Sequence, residues 1–129
     1  MSPKSSTRWG SEAGADPARL DARQRGIEAE ALVAEQLGAK GWTVLARNWR
    51  GGGGELDLVV RSGVVVRFVE VKQRVHADAD PVSPAQVRRL RSAARAWMVA
   101  QPVEDWEETS FWLVEVDAHD VLQWWLDPF

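Results

Sequence analysis

The chain of 129 residues contains no cysteine and only two histidines, which limits the chemistry it can perform. Without cysteine it forms no disulfide, no thiolate metal site and no thiol nucleophile. His76 and His119 are too few to build a histidine-based zinc centre. A metal site in this chain would therefore rely on carboxylates, which favour hard ions such as Mg²⁺ or Mn²⁺.

Long apolar runs are also missing from the sequence. No stretch of about 18 apolar residues occurs, so we expect no transmembrane helix and no membrane partner. Residues 1–15 lack the apolar core of a signal peptide, and we expect a cytoplasmic protein. The hydrophobic content of 45% and the charged content of 27% are typical of one globular domain.

Positive charge is absent from the C-terminal part of the chain. Residues 101–129 contain eight acidic residues and no Lys or Arg, whereas residues 1–100 contain all 16 basic residues. The net charge of −3 therefore conceals a basic body, and it does not exclude a polyanionic partner such as nucleic acid.

The order of helix and strand signals predicts a mixed α/β domain. We expect a disordered tail over residues 1–16 and one domain over residues 17–129. Asp16-Pro17 and Ser83-Pro84 predict the starts of two helices, which extend to about residues 39 and 101. Strands are predicted over residues 42–46, 56–60, 64–71, 111–116 and 121–126. The resulting order, α-β-β-β-α-β-β, indicates a central mixed sheet flanked by helices.

Four consecutive glycines, residues 51–54, interrupt this pattern. Such a run is unstable inside a helix or strand, so it predicts a loop or a place where backbone approaches another group closely. It is not a nucleotide-binding P-loop, because no Lys-Ser/Thr pair follows it.

One acidic residue lies on the predicted apolar face of the first helix. At 100° per residue, Glu30 falls in the middle of a stripe formed by Ile27, Ala31, Ala34 and neighbouring apolar residues. A carboxylate in that position is costly unless a partner compensates it. The sequence leaves two interpretations open, a buried salt bridge to an arginine or a functional carboxylate.

Two neighbouring strands carry further charged groups among apolar residues. Glu55 and Asp57 share one face of the first strand of a predicted hairpin, and Glu70 and Lys72 share one face of the second. Pairing about residue 62 or 63 places Asp57 opposite about residue 68, one side-chain step from Glu70. Acidic groups at that distance repel each other unless a cation lies between them, which favours a divalent ion. The alternative is an exposed strand face with an ordinary Glu–Lys pair.

These residues together resemble a known family. Glu30, the segment Leu45-Ala-Arg-Asn-Trp-Arg50, Gly54-Glu-Leu-Asp-Leu-Val59 and Phe68-Val-Glu-Val-Lys-Gln-Arg74 are similar to the YraN family, small bacterial proteins related to archaeal Holliday-junction resolvases. The resemblance covers about residues 26–117. It departs from the family pattern at Ala29, at Gln86 and at Ser110-Phe111-Trp112, where the family usually has Gly, Lys and Arg-Phe-Asp.

The resemblance implies a restriction-endonuclease-like fold and a PD-(D/E)xK nuclease site. Asp57, Glu70 and the backbone carbonyl of Val71 would hold Mg²⁺ or Mn²⁺, and Glu30 would complete the metal shell. Lys72 would position the attacking water or stabilise charge. Glu55, Gln73 and Gln86 are candidate accessory residues. The implied function is metal-dependent hydrolysis of phosphodiester bonds in DNA, with branched DNA as the suggested substrate.

Candidate nucleic-acid contacts are arginines. Some flank the implied metal site in sequence, and others form a row on the second helix, where the alternative is an ordinary solvated face. The first set is Arg47, Arg50 and Arg74, and the second is Arg88, Arg91 and Arg95.

Two other functions remain open at this stage. The fold could serve as a non-catalytic nucleic-acid-binding module, or the acidic, tryptophan-rich hairpin over residues 104–129 could dock a protein partner. Trp124 and Trp125 cannot both point into the core, so we expect one of them at the surface. A homodimer would suit symmetric DNA.

Overall fold

The computed structural model describes residues 17–74 and 82–129. The predicted N-terminal tail, the Asp16 cap and His76 lie outside these residues. The described elements follow the predicted order α-β-β-β-α-β-β. They are α1 (Pro17–Ala39), β1 (Thr43–Gly51), β2 (Gly54–Ser62), β3 (Val65–Gln73), α2 (Pro84–Ala100), β4 (Glu108–Val116) and β5 (Leu122–Leu126).

The five strands form one mixed sheet in the order β1-β2-β3-β4-β5. β3 and β4 are parallel, and the other neighbouring pairs are antiparallel. A parallel pair needs a long crossover, and α2 provides it. The predicted restriction-endonuclease-like fold, a mixed sheet with flanking helices, is confirmed.

Each helix covers one face of the sheet. On one face, Leu90 and Trp97 of α2 are buried in a cluster with Leu56 and Phe68. The ring of Trp97 packs edge-on against Phe68, with centroids 5.7 Å apart. On the other face, Leu37 and its neighbours in α1 are buried with residues of β2, β3 and β4. The two clusters enclose the sheet, and the backbone of its central strands is buried between them.

The buried face of α1 is rotated from the predicted stripe. Ala29, Val33, Ala34 and Leu37 form it, whereas Ile27 is 52% exposed and Ala31 is also exposed. Ile27 does not belong to the described apolar cluster beneath α1, and it lines an open cleft beside Asn48 of β1. Among the described residues, neither helix is long and apolar enough to cross a membrane.

β1 is longer than predicted because it forms a hairpin with β2 through polar residues. Arg50 pairs with Glu55 and Gly51 with Gly54 in the antiparallel register. β1 is an edge strand, and none of its residues is fully buried. This part of β1 therefore lacks the alternation of apolar and polar residues that identifies a strand in sequence.

The glycine run forms the β1–β2 turn and allows α2 to approach it closely. Gly52 and Gly53 have φ of 61° and 83°, as a two-residue hairpin turn of this type requires. A Cβ atom at Gly52 would lie 2.6 Å from the carbonyl oxygen of Ser92, and one at Gly54 would overlap the carbonyl oxygen of Arg89. The predicted close approach is therefore present, and the approaching group is the backbone of α2.

The two edges of the sheet differ chemically. β1 has a bulge between Val44 and Ala46, a positive φ of 50° at Asn48 and two arginines, Arg47 and Arg50. β5, with the sequence Leu-Gln-Trp-Trp-Leu, contains no charged residue. Bulges and charges discourage the pairing of another strand, so the β1 edge is protected and the β5 edge is open.

Candidate active site

The site begins where β2 and β3 separate. Their backbone pairing runs from Ser62↔Val65 to Leu58↔Val69, and a further step would place position 57 opposite position 70. Beyond that point the side chain of Asp57 replaces a backbone partner, because its Oδ2 accepts a hydrogen bond of 2.8 Å from the Val71 N–H. The separation of the strands leaves a cleft between them.

The predicted register of this hairpin is wrong by two residues. Position 68 pairs with Val59, not with Asp57. The hairpin is centred between Gly63 and Val64, one residue later than the predicted centre, so each pairing shifts by two positions. The consequence is that Asp57 and Glu70 are closer than the sequence suggested.

The cleft has a volume of about 290 Å³ and brings together the predicted catalytic and metal-binding side chains. Its lining residues come from both hairpin strands and from both helices. They are Glu30, Glu55, Asp57, Glu70, Val71, Lys72, Gln86, Arg89 and Leu90. All four predicted catalytic residues are in this set, and so are the accessory candidates Glu55 and Gln86.

Glu70 is the most buried charged group in the cleft, with 5% exposure. Its Oε2 accepts a hydrogen bond of 2.7 Å from the side-chain amide of Gln86 and lies 3.3 Å from Nζ of Lys72. Burial, followed by the hydrogen bond and like charge of Asp57, raises the pKa of Glu70 to about 9, and Lys72 offsets only part of this increase. In the absence of a cation, the cleft therefore favours the protonated form of Glu70.

Glu30 faces the same cleft from α1. Burial and the charge of Asp57 raise the pKa of Glu30 to about 7, while a hydrogen bond from Asn48 and the charge of Arg47 act in the opposite direction. The helical carboxylate that looked misplaced in the sequence is thus half-buried, and it has no salt bridge to the described residues. It points toward the Asp57 side of the cleft.

The donor set suits a hard divalent cation that brings its own water ligands. Mg²⁺ is usually held by one or two protein carboxylates together with waters and phosphate oxygens. Asp57 and Glu70 meet that requirement, and cation binding would relieve the repulsion that raises the pKa of Glu70. Within residues 17–74 and 82–129, no three His, Cys, Asp or Glu side chains form a complete metal cage as they stand. Glu30 would therefore have to shift toward the pair to become a third ligand.

Comparison with known proteins identifies the family to which this chain belongs. Residues 29–121 match the uncharacterised protein family UPF0102. The chain belongs to this family. UPF0102 is the YraN family indicated by the motifs, so that prediction is confirmed. The segment of this chain that matches UPF0102 includes Glu30, Asp57, Glu70 and Lys72, and it ends just before β5.

Several bacterial UPF0102 proteins are similar to this chain. A UPF0102 protein of Bradyrhizobium sp. (strain ORS 278) is 44% identical over 90 residues, which are 68% of this chain and 64% of that protein. One of Rhodopseudomonas palustris (strain BisB18) is 42% identical over 104 residues, or 79% of this chain and 77% of that protein. Another, of strain HaA2, is 43% identical over 88 residues, which cover 67% and 69% of the two chains. The match thus spans slightly less than two thirds of the Bradyrhizobium protein.

The predicted arginines are not gathered in one place. Arg50 forms an ion pair of 3.3 Å with Glu55, and it lines a second cleft that shares Glu30 and Glu55 with the first. Arg47 is exposed on β1 near Glu30. Arg74 lies elsewhere, with Gln73, in a cleft beside Asp117, so this accessory candidate and this arginine are outside the carboxylate cleft.

The predicted row of arginines on α2 is exposed. This agrees with a phosphate-binding row and also with an ordinary solvated helix face. Arg88 and Arg95 are exposed, and Arg91 donates a hydrogen bond to the carbonyl oxygen of Phe129. This contact ties the C-terminal residue to α2, so Arg91 has a structural partner that the sequence did not suggest.

Three residues of the region were missed at the sequence level. Arg89 lines the carboxylate cleft, Arg23 lines the neighbouring cleft, and Asn48 hydrogen-bonds to Glu30. Arg89 follows Gln86 by three positions, which places both on one side of α2, and this spacing could have identified it. Asn48 stands in the Leu45–Arg50 segment that supports the family resemblance, but no role was assigned to it, and its position in the edge strand depends on a left-handed backbone.

In the C-terminal hairpin, one of the two adjacent tryptophans is packed and the other is at the surface. Trp124 packs on Trp112, with ring centroids 5.2 Å apart, on the α1 face. Trp125 is 47% exposed, and its indole Nε1 donates a hydrogen bond of 3.2 Å to Glu115. The prediction that one of the two lies at the surface is confirmed.

Proposed function

We propose that this protein hydrolyses phosphodiester bonds in DNA with the help of Mg²⁺ or Mn²⁺, and that it acts in the cytoplasm. The observation that carries the proposal is the meeting of Glu30, Asp57, Glu70 and Lys72 in one cleft. Carboxylates that are far apart in sequence gather here at the expense of mutual repulsion. A cation site accounts for this arrangement better than a stabilising role does.

The chain's own residues have separable tasks in this reaction. Asp57 and Glu70 would hold the ion, and Glu30 and the Val71 carbonyl would complete its shell. The ion would supply Lewis acidity, which favours ionisation of water and offsets charge in the phosphoryl transition state. Lys72, whose Nζ is 3.3 Å from Glu70 Oε2, can turn toward the cleft and orient the attacking water or a phosphate oxygen.

The reaction requires no covalent enzyme intermediate. Water oxygen bonds to phosphorus, the ester P–O bond breaks, and the leaving oxygen takes up a proton. The cleft lies beside arginines that suit the phosphate backbone, including Arg47, Arg50 and Arg23. Guanidinium groups in this position suit phosphate oxygens, and no group that would read base edges was identified in the sequence, so we propose recognition of DNA shape, with branched DNA as the substrate class.

The test combines metal binding with cleavage. Calorimetric titration with Mn²⁺ is expected to show binding to the wild type and none to Asp57→Asn, a variant that retains the shape of the side chain. Labelled flap, fork and four-way DNA are expected to be cut by the wild type with Mn²⁺. Glu35→Gln, at an exposed position of α1 outside the cleft, serves as the charge-matched control. Cleavage by Asp57→Asn, or no cleavage of any DNA by the wild type, contradicts the proposal.

A second candidate function is a non-catalytic DNA-binding module. It is favoured by the engagement of Glu70 Oε2 with both Gln86 and Lys72, which resembles a closed ion network. DNA binding that is insensitive to metal, without cleavage, would support this alternative.

A two-fold dimer would match a symmetric DNA junction, and we propose this assembly for the DNA-bound state. Light scattering on the complex with four-way DNA is expected to give the mass of two chains. The mass of one chain per junction contradicts this part of the proposal.

A further inference from the structure

The backbone of α2 is held against the strand that carries two of the cleft's carboxylates. Gly52 and Gly54 have no side chains, and α2 occupies the space that a Cβ atom would need, at the carbonyls of Ser92 and Arg89. Gly54 immediately precedes Glu55 in β2. This contact fixes the backbone of Arg89 at the rim of the cleft.

The side chain of Arg89 lines the cleft, and two acids of the cleft have other cations as partners. Lys72 pairs with Glu70 at 3.3 Å, and Arg50 pairs with Glu55 at 3.3 Å. In the parts of the chain that the structure describes, no acidic side chain lies within 4.0 Å of the Arg89 guanidinium. With respect to the described residues, Arg89 is thus a cation in an acidic cleft without an acidic partner, and its hydrogen-bond donors can meet a ligand.

We infer that Arg89 binds a phosphate group of the nucleic-acid strand that enters the cleft. Acidic side chains in the cleft repel a polyanion, and a positive side chain that none of them neutralises reduces this repulsion. A guanidinium offers two parallel donors to the non-bridging oxygens of a phosphodiester, and it keeps its charge at all relevant pH values. The inference rests on the proposed function, since it names the contact that places the phosphate beside Asp57 and Glu70.

The test compares Arg89→Ala and Arg89→Lys with Lys40→Gln. Lys40 follows the C-terminal end of α1, and its Nζ lies 5.3 Å from the ring centre of Trp124, so Lys40→Gln removes one positive charge away from the cleft. Binding of fluorescein-labelled fork DNA is measured by anisotropy in EDTA at several salt concentrations. Cleavage of the same DNA is measured with Mn²⁺, with kcat and KM determined separately.

Arg89→Ala is expected to weaken DNA binding about tenfold, to reduce the slope of log K against log salt by about 1, and to raise KM more than it lowers kcat. Arg89→Lys should restore the salt slope but only part of the affinity, because it keeps the charge without the paired donors. Lys40→Gln should bind and cut as the wild type does.

The inference is overturned if the wild type binds and cuts DNA and Arg89→Ala matches Lys40→Gln in affinity, salt slope and KM. A wild type that neither binds nor cuts any DNA overturns the proposed function as well, and this result is distinct from the first. Arg89 is exposed on a helix, so Arg89→Ala should keep the wild-type unfolding midpoint. A folding defect shared by Arg89→Ala and Arg89→Lys would show a structural role instead.

Discussion

The contact between α2 and the β1–β2 turn can be measured with two glycine variants. Gly52→Ala places a Cβ atom 2.6 Å from the Ser92 carbonyl oxygen and 3.1 Å from Cβ of Ala96. Gly53→Ala is the matched control, because Gly53 also has a positive φ but a Cβ atom there has no neighbour within 4 Å. Both variants share the backbone strain, and only one disturbs the helix.

The expected difference follows from these distances. An alanine with positive φ costs about 1–2 kcal/mol, offset by about 0.4–1 kcal/mol through the reduced entropy of the unfolded chain. Gly53→Ala should therefore lower the free energy of unfolding by about 1 kcal/mol. For Gly52→Ala, α2 must also retreat by about 0.8 Å, the difference between 2.6 Å and an ordinary contact of about 3.4 Å. Overpacking of this kind adds about 1–3 kcal/mol, for a total of about 2–4 kcal/mol.

Urea denaturation followed by circular dichroism measures both values, with the midpoints compared at equal m-values. The displaced helix carries Gln86 and Arg89, so Gly52→Ala should also weaken fork-DNA binding, whereas Gly53→Ala should not. Equal destabilisation by the two substitutions would refute the reasoning, because it would mean that the approach of α2 contributes nothing beyond the backbone strain.

Three further predictions concern the cleft, the core and a helix cap. In EDTA, folded Glu70 keeps its proton to about pH 9 while the unfolded chain loses it near pH 4.5, so the free energy of unfolding should fall by about 1.4 kcal/mol per pH unit between these values. Urea titrations at pH 6 and pH 8 should show a flatter dependence for Glu70→Gln, and parallel curves would contradict the assignment. Phe68→Ala should lower the free energy of unfolding by about 3–5 kcal/mol, against less than about 0.5 kcal/mol for Val99→Ala at a site 86% exposed, and similar losses would argue against the core described above. Ser83→Ala removes the Oγ that accepts the Gln86 N–H at 3.1 Å, so the unfolding midpoint should drop by the equivalent of about 1 kcal/mol, and an unchanged midpoint would discount the cap.

The framework of the fold was accessible from local signals. Ser83-Pro84 begins α2 as predicted, because a cap and a fixed φ act within a few residues. The buried strand segments around Leu58 and Val69 were recognised by continuous apolar residues. The edge strand β1 was predicted too short, since its pairing with β2 and not its own composition extends it to Gly51.

The site was predictable in membership but not in geometry. Asp57, Glu70 and Lys72 stood out because charges are unusual within apolar strands. Their mutual distance depended on the hairpin centre, where an error of one residue moved the expected partner of Asp57 by two positions. Arg89 was missed although its spacing from Gln86 places both on one side of α2, because the packing of α2 on the glycine turn, which brings that side to the cleft, was not predicted.

The unequal edges of the sheet restrict the directions in which this protein can assemble. Among the described strands, β5 is the edge that favours the addition of another strand, because the bulge and the arginines of β1 discourage pairing there. A strand added beside β5 would lie away from the carboxylate cleft between β2 and β3. β4 and β5 would separate it from β3, at about 4.8 Å per strand. Self-association through β5 would therefore keep the carboxylate cleft accessible. A dimer formed in this way would present two accessible clefts to one bound molecule.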